Sequence, residues 1–298
     1  MLGFSLERDV FQFVEIQYRE GKPVVQRFAQ RETPLPFTLR NAFQEEHFGA
    51  FQQVIQEAVD IFQLNGPVAV TLDNRFAFVK KFLVDLAMPD EEVEEQINWE
   101  FRQILPESSL PEYLYTYERI PGGFYENMDA LLAVAYRRQV LDLVKRLFQP
   151  TGLEVAHLDL DIFSALYAVN RLYGTREHDL SVLADVRDDV TKLEFVRKGE
   201  YFDLHMARYS ELEESEEQHF QSSESVAKLI NREIRRKLLE FFSEDREKPI
   251  DLLFVYGPRA DGELIDYLAM SPAREIALVE PFKKMELSVA EQGMSEED

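Results

Sequence analysis

Residues 88–106 read MPDEEVEEQINWEFRQILP and have the pattern of one amphipathic helix. Pro89 favours a helix start directly after it, and Asp90 is the residue expected to cap that helix. Apolar residues recur at three- and four-residue spacing and form the expected buried face: Val93, Ile97, Phe101 and Ile104. Pro106 stops the helix. The stretch therefore predicts a helix that packs through one stripe against a neighbouring sheet.

The other side of this helix carries the candidate binding residues Glu94, Glu95 and Trp99. Trp99 is the only tryptophan of the chain, and it lies about 200° around the helix from Ile97. It is either a second packing contact or an exposed anchor for a partner, since tryptophan is favoured at the centre of interfaces. The glutamates either attract a basic peptide or form a solvated face.

Phe124 and Tyr125 are a second pair of candidate binding residues. They follow Pro121-Gly122-Gly123, which predicts a hairpin turn between two strands. Aromatic side chains at such a tip either bind a partner or fold back on the sheet.

Strands and helices alternate outward from this stretch, which predicts an α/β protein. Three strands surround the helix, at 76–84, 113–120 and 130–136. Before them, two strands, a Gly-containing turn and a third strand lead to one long helix at 39–63 and a buried strand at 68–72. After them, the expected elements are strands at 155–160, 181–186, 190–196, 201–207 and 252–256, and helices at 137–148, 162–173 and 225–242.

The chain contains an internal repeat with an offset of 180 residues. This offset places Asp9-Val10 on Asp189-Val190 and the first strand on the strand at 182–186. In each half a strand, a charged turn, a strand, a Gly-containing turn and a third strand follow in order, with a long amphipathic helix later. The pattern predicts two lobes of like construction; coincidence between two β-meanders is the alternative.

Composition narrows the classes of function. The chain has 298 residues, a net charge of −23, no cysteine and 45% hydrophobic residues. An acidic surface repels phosphate backbones and anionic lipids, so we expect neither a nucleic-acid partner nor direct membrane binding. The absence of cysteine excludes disulfides and thiol ligands, and the five histidines lack metal-ligand spacing, so no metal site is expected. No signal peptide or spanning segment is predicted, which favours the cytoplasm.

Several stretches carry a resemblance to a known family. They are the acidic helix after Pro89, its ending at Ile104-Leu105-Pro106, the strand 113–117, and the segments 131–138, 152–155 and 159–165. From residue 2 to about 287, the chain resembles the actin-like ATPase superfamily, in the branch that contains the pilus-assembly protein PilM and the division protein FtsA.

The resemblance implies two lobes with ribonuclease-H-like cores and a small inserted α+β subdomain. The first lobe would comprise residues 1–74 and 153–178, the insertion 75–152 and the second lobe 179–287. Residues 288–298 would be an acidic tail. In this superfamily two hairpins hold the nucleotide phosphates, and carboxylates hold Mg²⁺. Glycine in each turn lets backbone N–H groups approach the phosphate oxygens.

The chain departs from that pattern at most of the nucleotide-site positions. Ser5 replaces the carboxylate of the first hairpin, and Glu7 puts a negative charge where glycine is expected. The second hairpin keeps Asp185 but has Arg187 in place of glycine. Gly257 remains from the adenosine motif, while Pro258 has no N–H to donate. We therefore expect no cofactor, no catalytic residues and no ATP hydrolysis; ATP and Mg²⁺ would be required only by the alternative, an active ATPase or nucleotide switch.

The resemblance implies an adaptor of a type IV pilus or type II secretion-like assembly. Its expected partner is the short cytoplasmic N-terminal peptide of a single-span membrane protein, which would bring the chain to the inner membrane. Self-association is left open.

Overall fold

The computed structural model describes residues 1–85, 87–105, 111–120, 128–209, 222–242 and 250–287. The chain divides into two compact units. One contains Met1–Ser164 and the described residues from Met285 on, and the other contains Ala165–Lys284. Phe124, Tyr125 and the predicted acidic tail lie outside the described residues.

Strands and helices alternate along the chain, so the predicted α/β class is confirmed. The strands are β1 Leu2–Leu6, β2 Val10–Arg19, β3 Lys22–Glu32, β4 Pro67–Leu72, β5 Ala77–Asp85, β6 Tyr113–Ile120, β7 Met128–Arg137, β8 Glu154–Leu160, β9 Ser181–Val186, β10 Val190–Arg197, β11 Glu200–Arg208, β12 Ile250–Tyr256, β13 Ala273–Leu278 and β14 Glu286–Leu287. The helices are α1 Leu39–Ala42, α2 Glu45–Phe62, α3 Asp90–Arg102, α4 Arg138–Phe148, α5 Asp161–Tyr173, α6 Ser223–Phe241 and α7 Gly262–Leu268.

The first unit is built on a sheet with the strand order β14-β3-β2-β1-β4-β8. Strands β1, β2 and β3 form an antiparallel meander, whereas β4 pairs parallel to β1 and β8 parallel to β4. Phenylalanines dominate the core of this unit. The ring centroid of Phe37 lies 5.0 Å from that of Phe51 and 5.2 Å from those of Phe11 and Phe76. The contacts of Phe37 with Phe51 and Phe11 are edge-to-face and that with Phe76 is stacked, and such ring pairs add to the stabilisation that burial alone provides.

The prediction of a single helix over residues 39–63 is wrong, because the chain forms two helices there, α1 and α2. Thr38 caps α1 as expected, its side chain accepting from the amide of Asn41 at 3.3 Å. The amide of Gln44 bonds to the carbonyl of Asn41 at 3.1 Å, which closes a turn before α2 begins. As a result Phe43, predicted to be on the buried stripe, lies exposed at the break.

A separate three-stranded sheet, β5-β7-β6, lies between β4 and α4 in the chain and packs against α3. Val93, Ile97 and Phe101 are buried as predicted. Pro89, however, is the N-cap of α3, and Asp90 is its first helical residue and makes no capping bond from its side chain. The helix ends at Arg102, and the turn that follows buries Leu105 and leaves Ile104 exposed. Ile104 is thus not part of the buried face, because the helical period stops before it.

Helix α4 also lies inside the sequence range of the predicted insertion, and it contacts α2, β8 of the larger sheet and β7 of the three-stranded sheet. Its last residue, Phe148, meets Phe4 of β1 edge-to-face at 5.2 Å. The guanidinium of Arg146 bonds to the carboxylate of Glu45 at the start of α2 at 3.0 Å.

The second unit has the strand order β11-β10-β9-β12-β13, which is the order of β3-β2-β1-β4-β8. The turns of the two leading hairpins are closed in the same way. The amide of Glu7 donates to the carbonyl of Val10 at 3.2 Å, and the amide of Arg187, 180 positions later, donates to that of Val190 at 3.0 Å. The predicted internal repeat is confirmed. No helix in the described ranges combines the length and apolar character needed to span a bilayer.

Candidate functional site

The second hairpin contains a buried ion pair at the end of β9. Nε of Arg187 lies 2.6 Å from Oδ2 of Asp185, a short and strongly polarised contact. Only 11% of the Arg187 side chain and 4% of the Asp185 side chain are exposed. The arginine therefore turns back onto the one carboxylate that the nucleotide-site pattern retains.

A second cation lies opposite Asp185 on the neighbouring strand. Lys192 of β10 and Asp185 are partners in the β9–β10 register, so their side chains leave the same face of the sheet. Lys192 is almost fully buried, as is Glu194 two positions on. Sequence reasoning missed this pair, although the alternation Lys192-Leu193-Glu194-Phe195 could have indicated a strand with charges on one buried face.

Gly257 packs against the same end of β9. It has a φ of +105°, and a Cβ atom there would lie 2.6 Å from the carbonyl oxygen of Val186 and 2.7 Å from Oδ1 of Asp185. The amide of Arg259 donates to that same Val186 oxygen at 3.1 Å, beyond Pro258. Only glycine fits this close approach, so the retained glycine holds the 256–259 segment against the hairpin.

The first hairpin brings Ser5 and Glu7 together at the end of β1. The hydroxyl of Ser5 donates to Oε1 of Glu7 at 3.4 Å. The turn is also held from outside, since the amide of Thr33 donates to the carbonyl of Asp9 at 2.9 Å and the amide of Phe37 to that of Arg8 at 2.5 Å. The turn therefore presents a carboxylate at the position where a glycine was expected, and its backbone is fixed by the segment that follows β3.

Helix α3 presents the other predicted residues to solvent. Glu94 and Glu95 are exposed, and the side of the helix opposite the buried stripe carries Trp99, which is 53% exposed. Of the two interpretations of Trp99, the structure favours the exposed one. Neither Glu94 nor Glu95 makes an ion pair in the part of the chain that the structure describes. The arrangement is an acidic surface around an accessible indole ring.

The sheet beneath α3 has two outer strands. Both β5 and β6 pair with β7 and with no other strand of the described chain. Lys80 of β5 forms an ion pair with Glu100 of α3 at 2.5 Å, and Arg119 of β6 donates to the carbonyl of Met88 at 3.1 Å. These contacts fix the helix over both outer strands.

Comparison with known proteins identifies the fold. No family model and no curated protein matches the chain. Among solved structures, a chain of the PilM-PilN type IV pilus biogenesis complex is similar with a TM-score of 0.71 and 19% identity, over 96% of this chain and 90% of that one. A Bacteroides thetaiotaomicron protein with an actin-like ATPase fold and unknown function is similar with a TM-score of 0.50 and 13% identity, over 93% and 90%.

This chain has the actin-like ATPase fold. The predicted fold class is thus confirmed, and the two repeated sheets are the cores of that fold. Within it, the pair Ser5–Glu7 and the pair Asp185–Arg187 occupy equivalent turns, because the offset of 180 residues relates both members of each pair.

Proposed function

We propose that this actin-like protein is a non-catalytic adaptor of a type IV pilus or type II secretion-like assembly. The fold shared with a chain of the PilM-PilN complex supports this assignment, since that protein is part of a type IV pilus biogenesis complex. In the proposal the chain works in the cytoplasm and is recruited to the inner membrane by a partner, as PilN partners PilM in the structure to which it is similar.

The Arg187–Asp185 ion pair is the observation that carries the non-catalytic part of the proposal. Mg²⁺ binding requires free carboxylate oxygens. At 2.6 Å from the guanidinium, the Asp185 carboxylate is already neutralised, and a metal would have to displace a buried, charge-assisted hydrogen bond. Glu7 adds a negative charge to the equivalent turn, which repels phosphate oxygens. The residues present therefore do not fit a Mg²⁺–nucleotide.

The partner site of the proposal is the surface of the β5–β7 insertion and α3. Glu94 and Glu95 attract a peptide that contains Lys or Arg, while Trp99 offers both apolar area and a π face for a cation. An outer strand of the insertion supplies backbone groups to which an extended peptide can add. Phe124 and Tyr125 belong to the same part of the sequence and remain candidate contacts.

The peptide site is tested by charge reversal. Glu94→Lys combined with Glu95→Lys should slow association with a basic cytoplasmic peptide of a pilus membrane protein, measured by surface binding at low salt. Glu154→Lys with Glu275→Lys is the matched control, because both residues are exposed, lie on other sheets and change the net charge equally. If the α3 variant and the control capture the peptide equally fast, α3 is not part of the site.

An active ATPase or nucleotide switch is the alternative, and the retention of Asp185 and Gly257 favours it. Titration calorimetry with Mg-ATP separates the two functions. Ligand at 100 times its dissociation constant would also stabilise the fold by about 2.7 kcal/mol. The adaptor function predicts neither heat nor stabilisation, whereas micromolar binding would support the switch.

A further inference from the structure

The turn between α2 and β4 contains the only Asn-Gly dipeptide of the sequence, Asn65-Gly66. Helix α2 ends just before it, since Gln63 has a left-handed backbone with a φ of 48°. Gly66 has a φ of 95°, a conformation that residues with a side chain rarely adopt. Pro67 then begins β4, the strand that lies between β1 and β8. The geometry of the turn therefore favours glycine at position 66.

That glycine leaves the side chain of Asn65 open to attack by the main chain. Asn65 is exposed, and no atom lies within 4 Å of the position that a Cβ of Gly66 would take. The amide of Gly66 donates no hydrogen bond within the described residues. Nδ2 of Asn65 makes only a contact of 3.5 Å with the carbonyl of Gln63, which is at the limit for a hydrogen bond. A backbone nitrogen and an amide carbon thus lie next to each other, with no side chain between them.

The other asparagines of the described residues lack this combination. They lie in helices, where the amide that follows is typically tied to a carbonyl one turn earlier: Asn41 in α1, Asn98 in α3, Asn170 in α5, Asn231 in α6 and Asn74 in a 3-10 turn after β4. Each is followed by a residue that has a side chain. Asn127 lies outside the described residues and is followed by Met128. Sequence and backbone together single out Asn65.

We propose that Asn65 is a site of spontaneous deamidation. The nitrogen of Gly66 attacks Cγ of Asn65, and the new N–Cγ bond replaces the Cγ–Nδ2 bond. The side-chain nitrogen leaves as ammonia and takes the proton of the Gly66 amide with it. Water then opens the cyclic imide at either of its carbonyl groups. Opening at Cγ yields aspartate, whereas opening at the main-chain carbonyl yields isoaspartate, whose main chain runs through Cγ.

Both products place a carboxylate beside an existing ion pair. Asn65 lines a cavity of about 150 Å³ together with Glu15 and Arg27. Nε of Arg27 lies 3.3 Å from Oε2 of Glu15, and the same guanidinium donates to the carbonyl of Phe62, the last residue of α2. A carboxylate at position 65 adds a second anion for one guanidinium. It therefore competes with Glu15 for the arginine that holds the end of α2.

Isoaspartate also lengthens the main chain by one carbon directly before β4. The strand cannot slide along its neighbours to absorb this carbon, because Val68, Val70 and Leu72 are buried and β4 pairs with both β1 and β8. The turn itself must accommodate the change. We therefore expect isoaspartate to destabilise the fold more than aspartate, which adds only the charge.

Ageing of the full chain at neutral pH and 37 °C, followed by peptide mapping, tests the proposal. One tryptic peptide, residues 41–75, contains Asn41, Asn65 and Asn74, so fragment masses compare three sites in the same molecule. Position 65 should gain one mass unit at least about tenfold faster than the other two, because only glycine leaves the attacking nitrogen unshielded. A sample digested before ageing corrects for deamidation during digestion.

Isoaspartate is measured separately, by transfer of a labelled methyl group from S-adenosylmethionine with an isoaspartyl methyltransferase. Aged wild type should accept the label, whereas aged Asn65→Gln should not, because a longer side chain closes an imide ring far more slowly. Equal rates at the three asparagines overturn the proposal. A product at position 65 that contains no isoaspartate overturns the imide route.

Urea denaturation tests the structural consequence. Aged wild type that contains isoaspartate should unfold at a lower urea midpoint than fresh wild type and fresh Asn65→Asp, which has the charge without the longer main chain. An unchanged midpoint overturns the predicted strain in the turn. None of these measurements uses a peptide partner or a nucleotide, so their outcome is independent of the proposed adaptor function.

Discussion

Nε of Arg187 lies 2.6 Å from Oδ2 of Asp185, in a turn that repeats the Ser5–Glu7 turn of the first unit. Arg187 stands at a position where the resemblance led us to expect glycine. It neutralises the carboxylate beside it, and the pair becomes a structural feature of the second unit.

Removing the arginine should destabilise the fold rather than restore a nucleotide site. Arg187→Gly removes the short charge-assisted hydrogen bond of the buried Asp185 carboxylate, although Lys192 still lies opposite it, so we expect a loss of about 1–3 kcal/mol. Urea denaturation should register this loss. Adding Asp185→Asn to Arg187→Gly should recover part of it, since the carboxylate that lost its hydrogen bond is then gone. A double variant that is less stable than Arg187→Gly would contradict the interpretation of the pair as charge compensation.

Gly257 should not tolerate a side chain. Gly257→Ala combines a φ of +105° with a Cβ that would lie 2.6 Å from the Val186 oxygen, so we expect a loss of at least about 2 kcal/mol. Gly49→Ala in α2 is the matched control. Nothing lies within 4 Å of a Cβ there, and alanine should stabilise the helix by about 1 kcal/mol. Thermal denaturation of both variants measures the contrast, and equal melting temperatures would argue against the close approach.

The two aromatic residues of α3 should contribute very unequally to stability. Phe101 is 3% exposed, so Phe101→Ala should cost about 3–5 kcal/mol. Trp99→Ala should change stability by no more than about 0.5 kcal/mol, because the ring is on the surface. Trp99→Ala should nevertheless weaken capture of a basic peptide. A large loss of stability on removing Trp99 would instead assign it a packing role.

The contact between β11 and α6 should make stability depend on pH. Burial, followed by the nearby Arg236, lowers the pKa of His205 below its ordinary value of 6.5, despite the opposing effect of Glu233. Lys237 adds to the lowering. The unfolded chain therefore takes up the proton first. The contribution of neutral His205 to stability is complete above about pH 6.5, and it declines as the pH falls toward the pKa of His205 in the folded state.

His205→Gln removes this proton uptake and should flatten the pH dependence of the urea midpoint just below pH 6.5. Glu233 does not contribute to the pH dependence in this range. Burial raises its pKa, but the hydrogen bonds from Arg232 and Arg236 outweigh burial and hold the pKa below its ordinary value of 4.5. His157→Gln is the control, because His157 is exposed on β8. If the urea midpoint of His205→Gln changes with pH as steeply as that of the wild type, His205 is not the cause of the pH dependence.

Local patterns were sufficient to predict the class, the repeat and much of the secondary structure. The stripe Val93, Ile97 and Phe101 predicted the buried face of α3 because helical periodicity is a property of adjacent turns. The same reasoning failed at helix ends. It placed Phe43 inside one long helix and Ile104 on a buried face, although a turn at Asn41–Gln44 and the end of α3 at Arg102 decide otherwise.

The sequence alone also predicted which residues depart from the nucleotide-site pattern of the family it resembles, because Ser5, Glu7, Arg187 and Pro258 can be identified by position. Only the tertiary structure decided what those residues do. Arg187 turns back on Asp185, Lys192 lies across from it, and Gly257 packs on the same strand end. This arrangement depends on pairing between β9, β10 and β12, whose residues lie far apart in the chain. Exposure of Trp99 was decided in the same way. Which side of a helix is left to solvent depends on what packs against the other side, and no local spacing contains that information.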